Sequence, residues 1–217
     1  MAKTRGTVTL SYDNTTRSQG VNMGELKGAA LKSNALFEKG CELIIPMAMF
    51  RIWGPKTSFA VTSKTVTKDG FEATGLWLKP MHGFPITTPT AKGIVLETDN
   101  VPVEVEFAAE DREGVLVIRT GKRTYHRNVP VPANKRDNGL LREVCKHVVP
   151  TIVQSIRSPR ACLIVSEKEI GKLGFKLTAL IAYPVLNGIS VEGTVFETDS
   201  VPVTVGFEMP SDEESAA

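Results

Sequence analysis

Residues 93–107 read GIVLETDNVPVEVEF, and residues 193–207 read GTVFETDSVPVTVGF. Ten of the fifteen positions are identical, which unrelated sequence does not produce over so short a window, so an internal repeat is read first. Upstream, GFEATGLWLKP (70–80) aligns with GFKLTALIAYP (174–184) at five of eleven positions, and Cys41 then falls on Cys145 and Pro46 on Pro150. The offset drops from 104 to 100 across MHGFPITTPTAK (81–92), a Pro- and Thr-rich loop of the kind in which duplicated units tolerate insertion.

Inside the repeat, Val101, Val103, Val105 and Phe107 alternate with Pro102, Glu104 and Glu106, and Val201, Val203, Val205 and Phe207 form the same series. A period of two puts one set on a buried sheet face. The ETDNVP and ETDSVP segments supply turn formers between strands. SKTVTKDGFEATGLWL reads as a hairpin about Asp69 and Gly70, and DREG (111–114) as a second hairpin turn leading into the strand VLVIRTGKRTYHR. Helical spacing is expected over Gly24–Glu38 and over Asn138–Ile156, where Pro150 kinks or splits the pattern. Trp53, Phe59, Phe71 and Trp77 are assigned to the core. The expected fold is α+β: internally duplicated helix-plus-antiparallel-sheet units of about four strands each, packed with pseudo-two-fold symmetry. The first unit spans 1–110 with an N-terminal arm, the second 111–209, and 210–217 is a short acidic tail.

With 217 residues, 41% hydrophobic and 23% charged, the chain can bury a sizeable core. No apolar run approaches the roughly 18 residues a bilayer requires, and the start, MAKTRGTVTLSYD, lacks a signal-peptide block, so an intracellular, cytoplasmic protein without a membrane partner is expected. Cys41, Cys145 and Cys162 are widely spaced and odd in number, indicating neither a disulfide framework nor a zinc site. TGKRT lacks the upstream glycine of a phosphate-binding loop. His82, His126 and His147 stand beside no nucleophile at suitable spacing, so no catalytic residue is assigned. Glu97, Asp99, Glu197 and Asp199 have the oxygen chemistry of a divalent-cation site, but acid-acid-turn is also how a strand ends. The second reading is adopted, with no metal and no cofactor.

Net charge is only +2, yet its distribution is uneven. Arg119, Lys122, Arg123, Arg127, Lys135, Arg136 and Arg142 stand against the single acid Asp137 over residues 119–142. Cations of this density release counterions from phosphates, and Tyr125 on the same strand offers a ring for an unpaired base. The expected nucleic-acid-binding set is therefore Arg119, Lys122, Arg123, Tyr125, Arg127, Lys135 and Arg136. A solvated hairpin arm, charged only for solubility, is the competing reading.

The duplicated helix-plus-four-strand plan resembles PUR-type and Whirly-type single-strand binders. VEVEFAAEDREGVLVIRTGKRTYHRNVPVPA (103–133) is similar to a strand-turn-strand of sliding clamps, although a clamp domain has two helices per copy where the second half here offers one pattern. The expected function is a non-enzymatic nucleic-acid-binding accessory protein in replication, recombination or packaging, acting on single-stranded DNA or RNA and forming a homo-oligomer. The alternative is a structural or assembly protein, such as a virion or scaffold component or a clamp-like ring subunit, that self-associates through sheet edges.

Overall fold

The computed structural model describes residues 4–24, 33–54, 57–67, 69–81, 94–110, 113–131, 138–147, 160–189, 191 and 194–209. In chain order, a hairpin of β1 (Thr4–Tyr12) and β2 (Thr15–Gly24) precedes a helical stretch made of α1 (Ser33–Lys39), a π-helical turn (Gly40–Ile44) and α2 (Ile45–Trp53). Three strands follow: β3 (Ser58–Val66), β4 (Gly70–Pro80) and β5 (Val95–Glu110). A second hairpin, β6 (Glu113–Thr120) and β7 (Arg123–Pro130), leads to α3 (Asn138–His147), then β8 (Cys162–Gly171), β9 (Gly174–Pro184), β10 (Val195–Glu197) and β11 (Pro202–Glu208).

The strand pairings close on themselves. β3 pairs with β4, β4 with β10 and β11, β10 with β8, β8 with β9, β9 with β5, and β5 returns to β3. The two hairpins attach outside this ring, β1 on β11 and β6 on β5, leaving β2 and β7 as the ends of an eleven-stranded sheet among the described residues. The alternating pattern predicts antiparallel neighbours throughout, but the sheet is mixed: β3–β5 and β8–β10 are parallel. A strand that reaches its neighbour through another strand and a connection, instead of a tight turn, is free to run in the same direction.

Register recurs between the halves. Phe59 faces Val95 and Val61 faces Glu97, as Leu163 faces Val195 and Val165 faces Glu197. Val103 faces Ala179 and Phe107 faces Phe175, as Val203 faces Gly75 and Phe207 faces Phe71. Both β3 and β8 carry an irregularity, after Val61 and after Val165.

Strands in the ring are covered on both sides, which explains the unbroken apolar runs Phe59–Val61 and Cys162–Val165. Ala60, Leu78, Leu96, Ile164, Ala182 and Phe196, one from each strand line, fill the ring interior. Phe59, Val61, Val203 and Val205 turn outward under α1 and α2, while Val103, Val105, Phe107, Leu163 and Val165 do so beside α3. Val103, Val105, Val203 and Val205 of the alternating series thus face a core, whereas Val101 and Val201 are half-buried. The side chain of Phe207 lies outside the described residues, and Trp53 and Trp77 are half-buried at the margin of one core.

Helix limits differ from the sequence expectation. Gly24 ends β2, residues 25–32 lie outside the described residues, and the helix runs from Ser33 to Trp53. Pro46 sits one residue into α2 and has no N–H for the carbonyl four residues back, while the Ile45 N–H reaches back five residues to the Gly40 carbonyl. That is the widened turn a proline imposes when a helix continues through it. A Cβ on Gly40 would collide with the Phe71 ring, so glycine there sets how closely the helix approaches β4. α3 ends at His147, and residues 148–156 of the second expected helix lie outside the described residues, as do residues 82–92 of the inserted loop. The single strand expected over 115–127 is two strands joined at Gly121 (φ 57°) and Lys122. No helix among the described residues is long and apolar enough to cross a membrane.

Candidate nucleic-acid interface

The basic segment forms the β6–β7 arm, in which β6 alone pairs with a strand of the ring among the described residues, while Tyr125 and Val129 of β7 pack against the adjoining core. Cross-strand partners share a face, so register assigns each side chain. Ile118 opposes Tyr125, Leu116 opposes Arg127 and Thr120 opposes Arg123 on the core-facing side. Leu116 and Ile118 are buried there, and the half-buried Tyr125 ring packs against that core. Arg123 and Arg127 overhang the edge and are exposed. On the outer side, Val115, Val117 and Arg119 oppose Asn128, His126 and Thr124.

The expected cations divide into three groups. Arg119 is engaged: its guanidinium lies 3.3 Å from Glu106 and 3.9 Å from Glu104, and Lys176 sits 3.7 Å from the same Glu106. These groups line a cleft of about 300 Å³ that also holds Lys168, Glu167 and Glu169, a mixed-charge surface with no dominant sign. Lys122, Arg123 and Arg127 are exposed and make no ion pair among the described residues. Lys135 and Arg136 lie outside the described residues.

The repeated acids are occupied by structure. Glu97 pairs with Lys64 at 3.0 Å and Glu197 with Lys168 at 2.7 Å. Asp99 and Asp199 each accept the main-chain N–H two residues on, from Val101 at 3.1 Å and Val201 at 3.0 Å, bracing left-handed residues at Asn100 and Ser200. Among the described residues no group of three His, Cys, Asp or Glu side chains is arranged to hold a metal ion.

Sequence reasoning missed an aromatic cluster at the second of these turns. Asp199 Oδ2 accepts hydrogen bonds from Trp77 Nε1 at 2.6 Å and from the Tyr12 hydroxyl at 3.0 Å, and the hydrogen bond that Tyr12 donates to the Asp199 carboxylate raises the phenol above its usual range. Trp53 stacks on Trp77 at 5.7 Å, and Tyr12 meets Trp53 edge-on at 4.9 Å. Residues 12, 53, 77 and 199 share no local pattern, so no sequence signal marks them. Asp199→Ala should lower the melting midpoint, because two aromatic donors lose their acceptor, and should shift tryptophan emission. A variant with the parent's melting curve and emission would show that the bonds from Trp77 and Tyr12 do not hold this cluster together.

Comparison with protein-family models, with curated proteins and with solved structures returns no match.

Proposed function

We propose that the chain is a tandem duplication with pseudo-two-fold symmetry, and that it binds single-stranded nucleic acid without catalysing a reaction, through the β6–β7 arm. The recurring register supports the first part, and it extends to the hairpins. Leu10 faces Val205 on one side and Arg17 on the other, as Ile118 faces Val105 and Tyr125. Counterparts follow along both arms, so Asn14, Thr15 and Gln19 hold the places of Lys122, Arg123 and Arg127.

That last correspondence carries the functional reading. These three positions are built once with neutral residues and once with cations, none of which is paired among the described residues, so the fold itself does not require them, and Arg17 of β2 stands at the place of Tyr125. Uncompensated cations along an exposed strand fit a phosphate backbone. Tyr125, held against the core, positions the strand, and Arg119 stays with its glutamates. Phosphate contacts then dominate over base stacking, which favours a binder with little sequence preference.

The test is fluorescence anisotropy with a labelled single-stranded oligonucleotide across a salt series. Joint Lys122→Ala, Arg123→Ala and Arg127→Ala substitution should lower the salt slope by about 2, at roughly 0.7 per phosphate contact. Arg119→Ala should leave it nearly unchanged. A folded triple variant with the parent's affinity and slope would overturn the reading.

A further inference from the structure

We propose that the Asn187–Gly188 bond is a self-modification site, at which the folded chain converts the Asn187 amide into a carboxylate through a cyclic imide, with the Arg160 guanidinium stabilising the oxyanion and ammonia leaving. Only Asn138 and Asn187 precede a glycine in this chain. A glycine in that place has no Cβ to keep its main-chain nitrogen from approaching the side-chain amide carbon of the asparagine before it. The two bonds sit in different backbone. Asn138 is the first residue of α3, and closing an imide ring there would pull the main chain out of helical torsion. Asn187 lies in an exposed turn after β9.

Three features of that turn favour the ring. Gly188 has φ 79°, a torsion that side chains disfavour, so the turn itself calls for glycine after Asn187. Gly188 is exposed, and no main-chain acceptor among the described residues takes its N–H, so the nitrogen is not tied into a ladder. Arg160 reaches the same turn from the start of β8: its Nη1 donates to Asn187 Oδ1 at 3.4 Å and its Nη2 to the Leu186 carbonyl at 3.2 Å. Held at two points, the guanidinium stands beside the oxygen on which negative charge gathers when the ring closes.

The step balances without an oxidant or reductant. The Gly188 nitrogen gives its proton to solvent base and bonds to Asn187 Cγ, and the carbonyl pair moves onto Oδ1. When that pair returns, the bond from Cγ to Nδ2 breaks, and Nδ2 takes a proton from water and departs as ammonia. Water then opens the imide at either carbonyl, leaving aspartate or isoaspartate, so the net exchange is water in and ammonia out. Either product sets a carboxylate beside Arg160 and turns a hydrogen bond into an ion pair, and isoaspartate also lengthens the main chain between β9 and β10 by a carbon. Water does not restore the amide, so the change accumulates with the age of the molecule.

Peptide mapping by mass spectrometry of the full chain, incubated near neutral pH and sampled over days, reads the two Asn-Gly bonds side by side. Asn187 should gain the mass of an amide-to-acid exchange several-fold faster than Asn138. In guanidinium chloride, where the fold no longer distinguishes them, the two should react at similar rates; this comparison needs no variant. Arg160→Ala, checked by circular dichroism, should slow the change at Asn187 about fivefold, the scale of one exposed hydrogen bond, and leave Asn138 as it was. A folded chain in which Asn187 keeps its amide, or loses it no faster than Asn138, would overturn the proposal. A folded Arg160→Ala chain that reacts at the parent's rate, or the same preference for Asn187 in denaturant, would overturn it equally.

Discussion

Phe107→Ala should lower the unfolding free energy by about 3–5 kcal/mol, the range for removing a large buried ring. The ring is 1% exposed and stacks on Phe175 at 5.5 Å, across the β5–β9 pairing that joins one half of the chain to the other. Gly114 and Gly174 lie so close to Phe107 that a Cβ on either would collide with its ring or its carbonyl. The ring is therefore bounded by the Gly114 backbone on one side and by the Phe175 ring on another, while Gly174 lets β9 approach the β5 main chain closely, so the site has little room to collapse into the void and the cost falls toward the upper end. Val115→Ala, eight residues on in an exposed position, should change stability by less than about 0.5 kcal/mol. Urea titrations of the two variants give the comparison, and a Phe107→Ala chain as stable as Val115→Ala would show that β5 and β9 do not meet as described.

Alkaline pH should destabilise the fold steeply. Burial pushes the Cys41 and Cys145 thiols up to about 12, and burial raises the Cys162 thiol as well. In the unfolded chain a thiol ionises near pH 8.5. Above that pH the unfolded state has released protons that the folded state still holds, so stability falls as pH rises, until the folded values are reached. Below about pH 8 both states are protonated and these groups contribute no slope. Each thiol contributes at most about 1.4 kcal/mol per pH unit, and three together about 4. Denaturation midpoints between about pH 7 and about pH 10 measure the effect, and Cys145→Ala should flatten the slope by roughly a third. A pH-independent midpoint across that window would mean that the thiols are reached by solvent in the folded chain.

What the sequence disclosed depended on how local the cause was. The alternation at Val101–Phe107 and the Asp-braced turns at Asp99 and Asp199 need only neighbouring residues, and both are readable from a few letters. The apolar runs at Phe59–Val61 and Cys162–Val165 mark strands covered on both faces, but only once a closed ring is in view. Parallel joining of β3 to β5 depends on pairing between residues 36 apart, such as Phe59 and Val95, which no local period encodes. The β1–β2 hairpin left a signal that went unused: Asp13-Asn14 between the alternating Val8, Leu10, Tyr12 and the polar run after Thr15. α2 was hidden because Pro46 argues against a helix unless a widened turn is anticipated. At the candidate interface, the excess of cations was legible in composition. Which of them are free was not, since Glu104 and Glu106 reach Arg119 only through the β5–β6 register.

The ring of strands also dictates an order of events during synthesis. β4 finds its outer neighbour in β11, with Gly70 opposite Glu208, and β5 finds its own in β9, with Phe107 opposite Phe175. A ribosome that has released β1 to β5 has therefore made three strands whose partners are still unwritten. The emerging half has hydrogen-bonding edges at β1, β4 and β5 and an apolar interior open to water, and it has no way to satisfy them alone. Such long-range closure is slow, because loop entropy is lost before the pairing returns it. Through that interval the nascent chain depends on dilution or on chaperones to keep those edges from finding one another in a neighbouring molecule.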